Sequence, residues 1–170
     1  MPYDKNITFT TDKTSVASPP TSFITPSRFK LTIDSYKYPN TEFNVTNVEL
    51  PNISAIAPVI SGRQRNMPGY PDKIEYTELN VTFLIDENMT NYMEMHDWIF
   101  GLVKEPDGDL NKPRDLTLTI LNSNNNPIRT IRFIGAIPTN LTGTTFDVSA
   151  SDANYLTSAV TFAYMYFTIE

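Results

Sequence analysis

The stretch KIEYTELNVTFLIDENMTNYMEMHDWIFGLV, residues 73–103, decides the fold class, because its hydrophobic period changes once along its length. Leu79, Val81, Phe83 and Ile85 fall at every second position, the pattern of a strand with one buried face. After Asp86 the spacing widens to three and four, through Met89, Tyr92, Met93, His96, Ile99, Phe100 and Val103, which is the period of an amphipathic helix. Asp86 is a suitable N-cap and Glu87 suits the first turn, while Gly101 and Pro106-Asp107-Gly108 mark the end. A helix is therefore predicted over about 86–103, and its broad apolar face requires a sheet to cover it.

Strand patterns lie on both sides. RFKLTIDSY (28–36) puts Phe29, Leu31 and Ile33 on one side; EFNVTNVEL (42–50) does so with Phe43 and Val45 before the phase slips to Val48 and Leu50. With Tyr38-Pro39-Asn40 as a turn, the two are predicted to pair antiparallel, with a bulge near Thr46-Asn47. Residues 51–72, punctuated by Pro58, Gly62, Pro68, Gly69 and Pro71, read as a long loop, and loops of that length in a compact domain are usually functional. Residues 1–27, rich in Thr, Ser and Pro, read as an extended N-terminal arm, leaving 28–170 as a single β domain.

Downstream, RDLTLTILN, a turn at SNNNP, and IRTIRFIG give two more strands, the second expected to stop at Pro138, which has no N–H to donate. A short strand is predicted around Thr145–Val148. The terminal SAVTFAYMYFTIE, 158–170, reads as one strand with Val160, Phe162, Tyr164 and Tyr166 on one face and Ala159, Ala163, Met165, Phe167 and Ile169 on the other. One face fills the core; the other needs a cover, either the helix or a neighbouring copy. The same question arises at FIGAIPTN, 133–140, since no charge lies between Arg132 and Asp147 to protect Ile134, Ile137 and Leu141. The expected fold is mainly β, an antiparallel barrel or sandwich flanked by one helix.

Composition narrows the function classes. A chain of 170 residues fits one domain that buries roughly two thirds of its unfolded surface. Without Cys it has neither disulfides nor a thiolate nucleophile. The start MPYDKNITFT lacks a basic n-region and an apolar h-region, so a soluble protein with no membrane association is expected. A net charge of −6 argues against a general grip on nucleic acid.

Catalytic patterns are missing. His96 is the sole histidine and sits inside the helical pattern beside Asp97, where a structural or surface role is favoured. No G-x-S-x-G, H-E-x-x-H or P-loop sequence occurs. Asp107, Asp109 and Asn111 begin like a calcium loop, but Lys112 and Leu118 stand where Gly and Glu are needed. The N-x-[ST] matches at Asn6, Asn44, Asn52, Asn80, Asn88 and Asn140 fall partly within predicted strands and the helix, which are poor places for a glycan. Arg63 and Arg65 are either solubilising charges in the long loop or partners for carboxylates on another subunit. Neither a cofactor nor a metal is expected.

The order of elements, with Leu50-Pro51 leaving the second strand, Asp97-Trp98 in the helix, Pro138-Thr139-Asn140 after a strand and an aromatic terminal strand, resembles the tail tube protein of contractile-tailed bacteriophages, relatives of type VI secretion tubes, over residues 28–170. The Pro-rich arm is longer than that family leads one to expect. The resemblance implies hexameric rings stacked into a hollow tube within a contractile sheath. Such a lumen holds a tape-measure protein and passes DNA without sequence-specific binding. The implied partners are further copies, the tail sheath protein, and baseplate and tail-terminator proteins; the implied location is the virion tail, assembled in the host cytoplasm. On this reading Arg63, Arg65, Asn66, Ile137, Phe162, Tyr164 and Tyr166 are interface candidates, as is the arm before Arg28, and Asp34, Glu42, Glu75 and Glu78 are lumen candidates. The alternatives are a baseplate-tube initiator or tube terminator, the tube of a secretion or bacteriocin device and, from another class, a secreted carbohydrate-binding β-sandwich.

Overall fold

The computed structural model describes residues 23–33, 41, 44–62, 65–104, 112–149 and 155–170. In chain order the elements are β1 (Phe29–Thr32), β2 (Val45–Glu49), β3 (Ile53–Ile56), β4 (Val59–Ser61), β5 (Asn66–Pro68), β6 (Lys73–Tyr76), β7 (Leu79–Leu84), helix α1 (Thr90–Lys104), β8 (Arg114–Leu121), β9 (Pro127–Leu141), β10 (Thr157–Ala163) and β11 (Tyr166–Ile169). A 7-stranded sheet runs β1-β8-β9-β10-β7-β2, with β11 also paired to β9. All of these pairs are antiparallel.

The long strand β9 is the spine. Its first part, Ile131–Ile134, pairs with β11, and β8 lies along the same stretch; its last part, Ile137–Leu141, pairs with β10. Between them Gly135 adopts φ +65°, a left-handed conformation that glycine enters without the steric cost of a Cβ. The sheet is thereby divided into one half of β1, β8, β9 and β11 and another of β9, β10, β7 and β2. Their inner faces share one core, Leu31, Leu116 and Phe133 from the first, and Leu79, Val81, Phe83, Val160 and Phe162 from the second.

The helix completes that core with Met95 and Trp98, whose ring lies 5.9 Å from that of Phe162. Its start is fixed by buried Asn91, which donates through Nδ2 to the Leu84 carbonyl and accepts at Oδ1 from the N–H groups of Asp86 and Tyr92. It begins at Thr90, later than predicted, because Asp86 is spent on a turn. The Met89 N–H donates to the Asp86 carbonyl at 2.9 Å, and the Met89 carbonyl then accepts from Met93.

Several expectations need correction. The predicted pair formed by the first two strands does not form: β1 pairs with β8 and β2 with β7, at opposite ends of the strand order. Alternation identifies a buried face without naming a partner strand. The predicted bulge is present, between Val45 and Asn47. Pro138 does not end its strand; β9 continues to Leu141, with Pro138 opposite Phe162 at a register shift against β10 where Thr139 is the extra residue of β9. A bulge is where a strand tolerates the missing N–H.

The expected strand at 145–148 is absent, because Asp147 Oδ1 accepts from both the N–H and the hydroxyl of Ser149 and holds a turn. The terminal strand is two strands, β10 and β11, broken at Tyr164-Met165. Ile134, Ile137 and Leu141 are half-buried within their own chain, and Leu141 borders a groove with Tyr92, His96 and Ile99 of α1.

Candidate assembly surface

The long loop of the sequence reading is β-structure. After the last sheet pair, Glu49 with Asn80, the same hairpin resumes at Ile53 with Tyr76, runs to Ile56 with Lys73, and resumes again from Val59 with Pro68 to Ser61 with Asn66. The Gly69 N–H donates to the Pro58 carbonyl at 2.8 Å across the outer gap. At the tip a Cβ on Gly62 would stand 2.5 Å from the Arg65 carbonyl oxygen, so the turn accepts only glycine. The result is an arm on the order of 30 Å long at the usual strand rise.

Beyond its root, the main contacts of β3, β4, β5 and β6 are with one another. Residues opposed across an antiparallel ladder share a face. One face of the proximal ribbon therefore carries Ile53, Ala55, Ile74 and Tyr76, and the other Ser54, Ile56, Glu75 and Lys73, with Lys73 Nζ bonded to Glu75 Oε1 at 2.6 Å. Ile53 and Ile74 are 57% and 58% exposed, and Val59, Ile60 and Met67 farther out are also exposed. A two-stranded ribbon is marginal in water on its own, and exposed apolar patches of this kind mark interaction surfaces.

The outward faces of the two half-sheets differ in charge. On the β2-β7-β10-β9 half, Glu49, Asn80, Thr161 and Asn140 stand in register. Asn80 Nδ2 donates to Glu49 Oε2 at 3.3 Å, and Thr161 Oγ1 donates to Asn80 Oδ1 at 3.0 Å. The ladders add Asn47, Thr82, Ala159, Ala163 and Ile137 to this face, so none of its paired, described positions is a Lys or Arg. The other half carries Lys30 and Arg132 among its outward residues, with Arg132 3.5 Å from Asp115.

The sequence-derived candidates do not form one cluster. Arg65 and Asn66 are exposed at the arm tip; Arg63, Asp34 and Glu42 lie outside the described residues, as does the chain before Phe23. Glu75 and Glu78 belong to the arm and its root and are not on a sheet wall. Phe162 is 0% exposed and packs inside its own chain, so it offers no surface to a neighbour. Ile137 faces outward opposite Ala163, and Tyr166 is exposed on β11 opposite Ile134.

Tyr164 belongs to an aromatic cluster at the base of the arm, 5.1 Å from Phe133 and 6.1 Å from Tyr76 between ring centroids. Burial of its phenol, with a charge contribution from Tyr76, pushes its pKa up to about 12. His96 pairs with Asp97 at 3.0 Å and stacks on Phe100. The sequence reading missed Ile53, Ile56, Val59, Ile60, Met67 and Ile74. Their signal was available in the β-branched residues on both sides of the Gly62–Arg65 turn, but the prolines obscured it.

The same fold is found in chains of contractile injection systems. A chain of the sheath–tube complex of an extracellular contractile injection system (PVC) in the extended state superposes with TM-score 0.59 and 18% identity, covering 96% of this chain and 99% of that one. A chain of the anti-feeding prophage tube-terminating cap gives 0.63 and 17%, covering 94% and 98%. Hcp1 from Flavobacterium johnsoniae gives 0.51 and 16%, covering 84% and 94%. No curated protein matches the sequence. The chain belongs to the T4-like virus tail tube protein gp19 family, whose profile matches residues 26–168.

Proposed function

We propose that the protein self-assembles into stacked hexameric rings that form the inner tube of a contractile tail, a conduit for genome ejection. The observation that carries this reading is the arm, on which Ile53, Ile74, Val59, Ile60 and Met67 stay exposed among the described residues. A second copy supplies their cover. Because the arm and the sheet edges are different patches, the contact is head-to-tail and propagates, closing into rings where the rotation allows. Arg65 and Asn66 at the tip, with Arg63 two residues before Arg65 in sequence, extend the contact toward the next ring.

The cation-free outward face of the β2-β7-β10-β9 half suits a lumen wall. A surface of Asn, Thr and Ala with Glu49 offers phosphates no counter-charge, so DNA passes without adhering. A tape-measure protein in the lumen, a sheath outside, and baseplate and terminator proteins at the ends are the partners this role requires. Its site of action is the virion tail, assembled in the host cytoplasm, and no catalysis is involved. The likeness to a tube-terminating cap favours one second reading, a specialised end ring of the tube. Copy number in the assembled particle separates the two, since a tube subunit is present in many rings and an end protein in one.

Electron microscopy of the purified chain, alone and with baseplate components, tests the proposal. Rings or tubes are expected; a monomer under every assembly condition contradicts it. Replacing Arg63 and Arg65 together with Glu is expected to impair stacking. Normal tubes from that variant remove the tip from the interface.

A further inference from the structure

We propose that Thr77 and Tyr164 form a clasp that fixes the direction in which the arm leaves the body, an inference that rests on the arm being the assembly element. The ladder is interrupted between Glu49–Asn80 and Ile53–Tyr76. Leu50, Pro51 and Asn52 on one side and Thr77 and Glu78 on the other border a polar notch there, and Pro51 has no N–H with which to close it. A ribbon joined to its sheet across such a gap is a hinge unless something bridges it.

Thr77 bridges it with each of its polar groups. Its N–H donates to the Asn52 carbonyl at 3.1 Å, and its Oγ1 accepts from the Asn52 N–H at 2.8 Å. Its carbonyl accepts from the Tyr164 hydroxyl at 2.8 Å, across 87 residues of sequence. The first two bonds tie the strands of the root together; the third ties the root to the body.

Tyr164 is itself held. It sits at the break between β10 and β11, with its ring against Phe133, which is fully buried, and near Phe167 and Tyr76. Tyr76 is the first arm residue on the apolar face, and it also meets Phe167 at 5.5 Å. The core therefore reaches the arm through one aromatic cluster and one hydroxyl. The distal ribbon makes its main contacts with itself, so the angle set at the root is carried along the whole arm. A preorganised arm meets the next copy without first losing the freedom of a hinge.

The test uses the full chain and three variants, Tyr164→Phe, Thr77→Val and Thr77→Ser, with amide hydrogen exchange followed on the unassembled protein. Thr77→Val and Tyr164→Phe are expected to speed exchange at Asn52 and Thr77 by roughly five- to tenfold, the loss of one or two ordinary hydrogen bonds. Thr77→Ser keeps the hydroxyl and the wild-type rate, and amides of β7 and β9 are unchanged in all three. Wild-type exchange at the root in both Thr77→Val and Tyr164→Phe overturns the clasp. In assembled tubes the same two variants are expected to widen the spread of ring-to-ring rotation measured by electron microscopy. Faster exchange with wild-type tube order overturns the assembly role of the clasp, whereas the arm reading itself fails separately, if Ile74→Glu assembles normally.

Discussion

The two halves of the hairpin that runs from β2 to β7 have similar local chemistry and opposite fates. In the near half, Leu79, Val81 and Phe83 point into the shared core and are fully buried. In the far half, Ile53, Ala55 and Ile74 form an apolar strip that stays exposed among the described residues, while Tyr76 at its root meets Tyr164 and Phe167 of the body. The near half explains how the chain folds. The far half leaves apolar area in water, and burying it is worth roughly 25 cal/mol per Å² wherever the covering surface comes from.

The contrast can be tested at both ends. The largest effect on stability is expected in the near half: Phe83→Ala should cost about 3–5 kcal/mol in chemical denaturation, by deleting a fully buried aromatic side chain. Ile74→Glu should change monomer stability by no more than about 0.5 kcal/mol, as exposed substitutions do, yet abolish tube formation. If both variants lower stability alike, the arm has a cover within its own chain and the contrast collapses.

A smaller effect concerns the outward faces. Thr161→Lys, on the cation-free face, is expected to leave assembly intact and make the tubes retain DNA at low salt, with retention falling as salt rises. Thr117→Lys, beside Arg132 on the other half-sheet, should not. Equal retention by the two variants removes the lumen assignment.

The smallest effect is a pH dependence at the arm's base. The folded-state pKa of Tyr164 is raised from 10.0 to about 12, so the folded protein holds that proton more tightly than the unfolded chain. Its contribution to stability is therefore complete below about pH 10 and is lost as the pH rises through about 12. Denaturation at a series of alkaline pH values should show this loss in the wild type and not in Tyr164→Phe. A slope unchanged by that substitution assigns the titration to another group.

The sequence exposed elements more readily than relations. Period 2 at Leu79–Ile85 and period 3.6 through the helix were legible because each side chain reports its own burial. Pairing was not, because Phe29, Leu31 and Ile33 would alternate identically beside any partner strand, and the true partner, β8, lies some 90 residues away in sequence, with Phe29 opposite Ile120. Pro138 signals the end of a strand, yet with Gly135 it makes a bend and a bulge within the one continuous strand β9. The arm is hidden for a related reason: Pro51, Pro58 and Pro71 interrupt the alternation at the places where the ladder itself is interrupted. Phe162 was misassigned to an interface because a two-faced strand does not say which face is inside.

The most direct test of the central claim uses a property of the sequence. The chain has no Cys, so Ile74→Cys gives a single thiol on the bare face of the arm. Its rate of reaction with a small water-soluble thiol reagent should match that of a free peptide thiol in the unassembled protein and fall at least tenfold in assembled tubes. Tubes in which that thiol reacts as fast as in the free subunit contradict the account, because the arm would then remain uncovered after assembly.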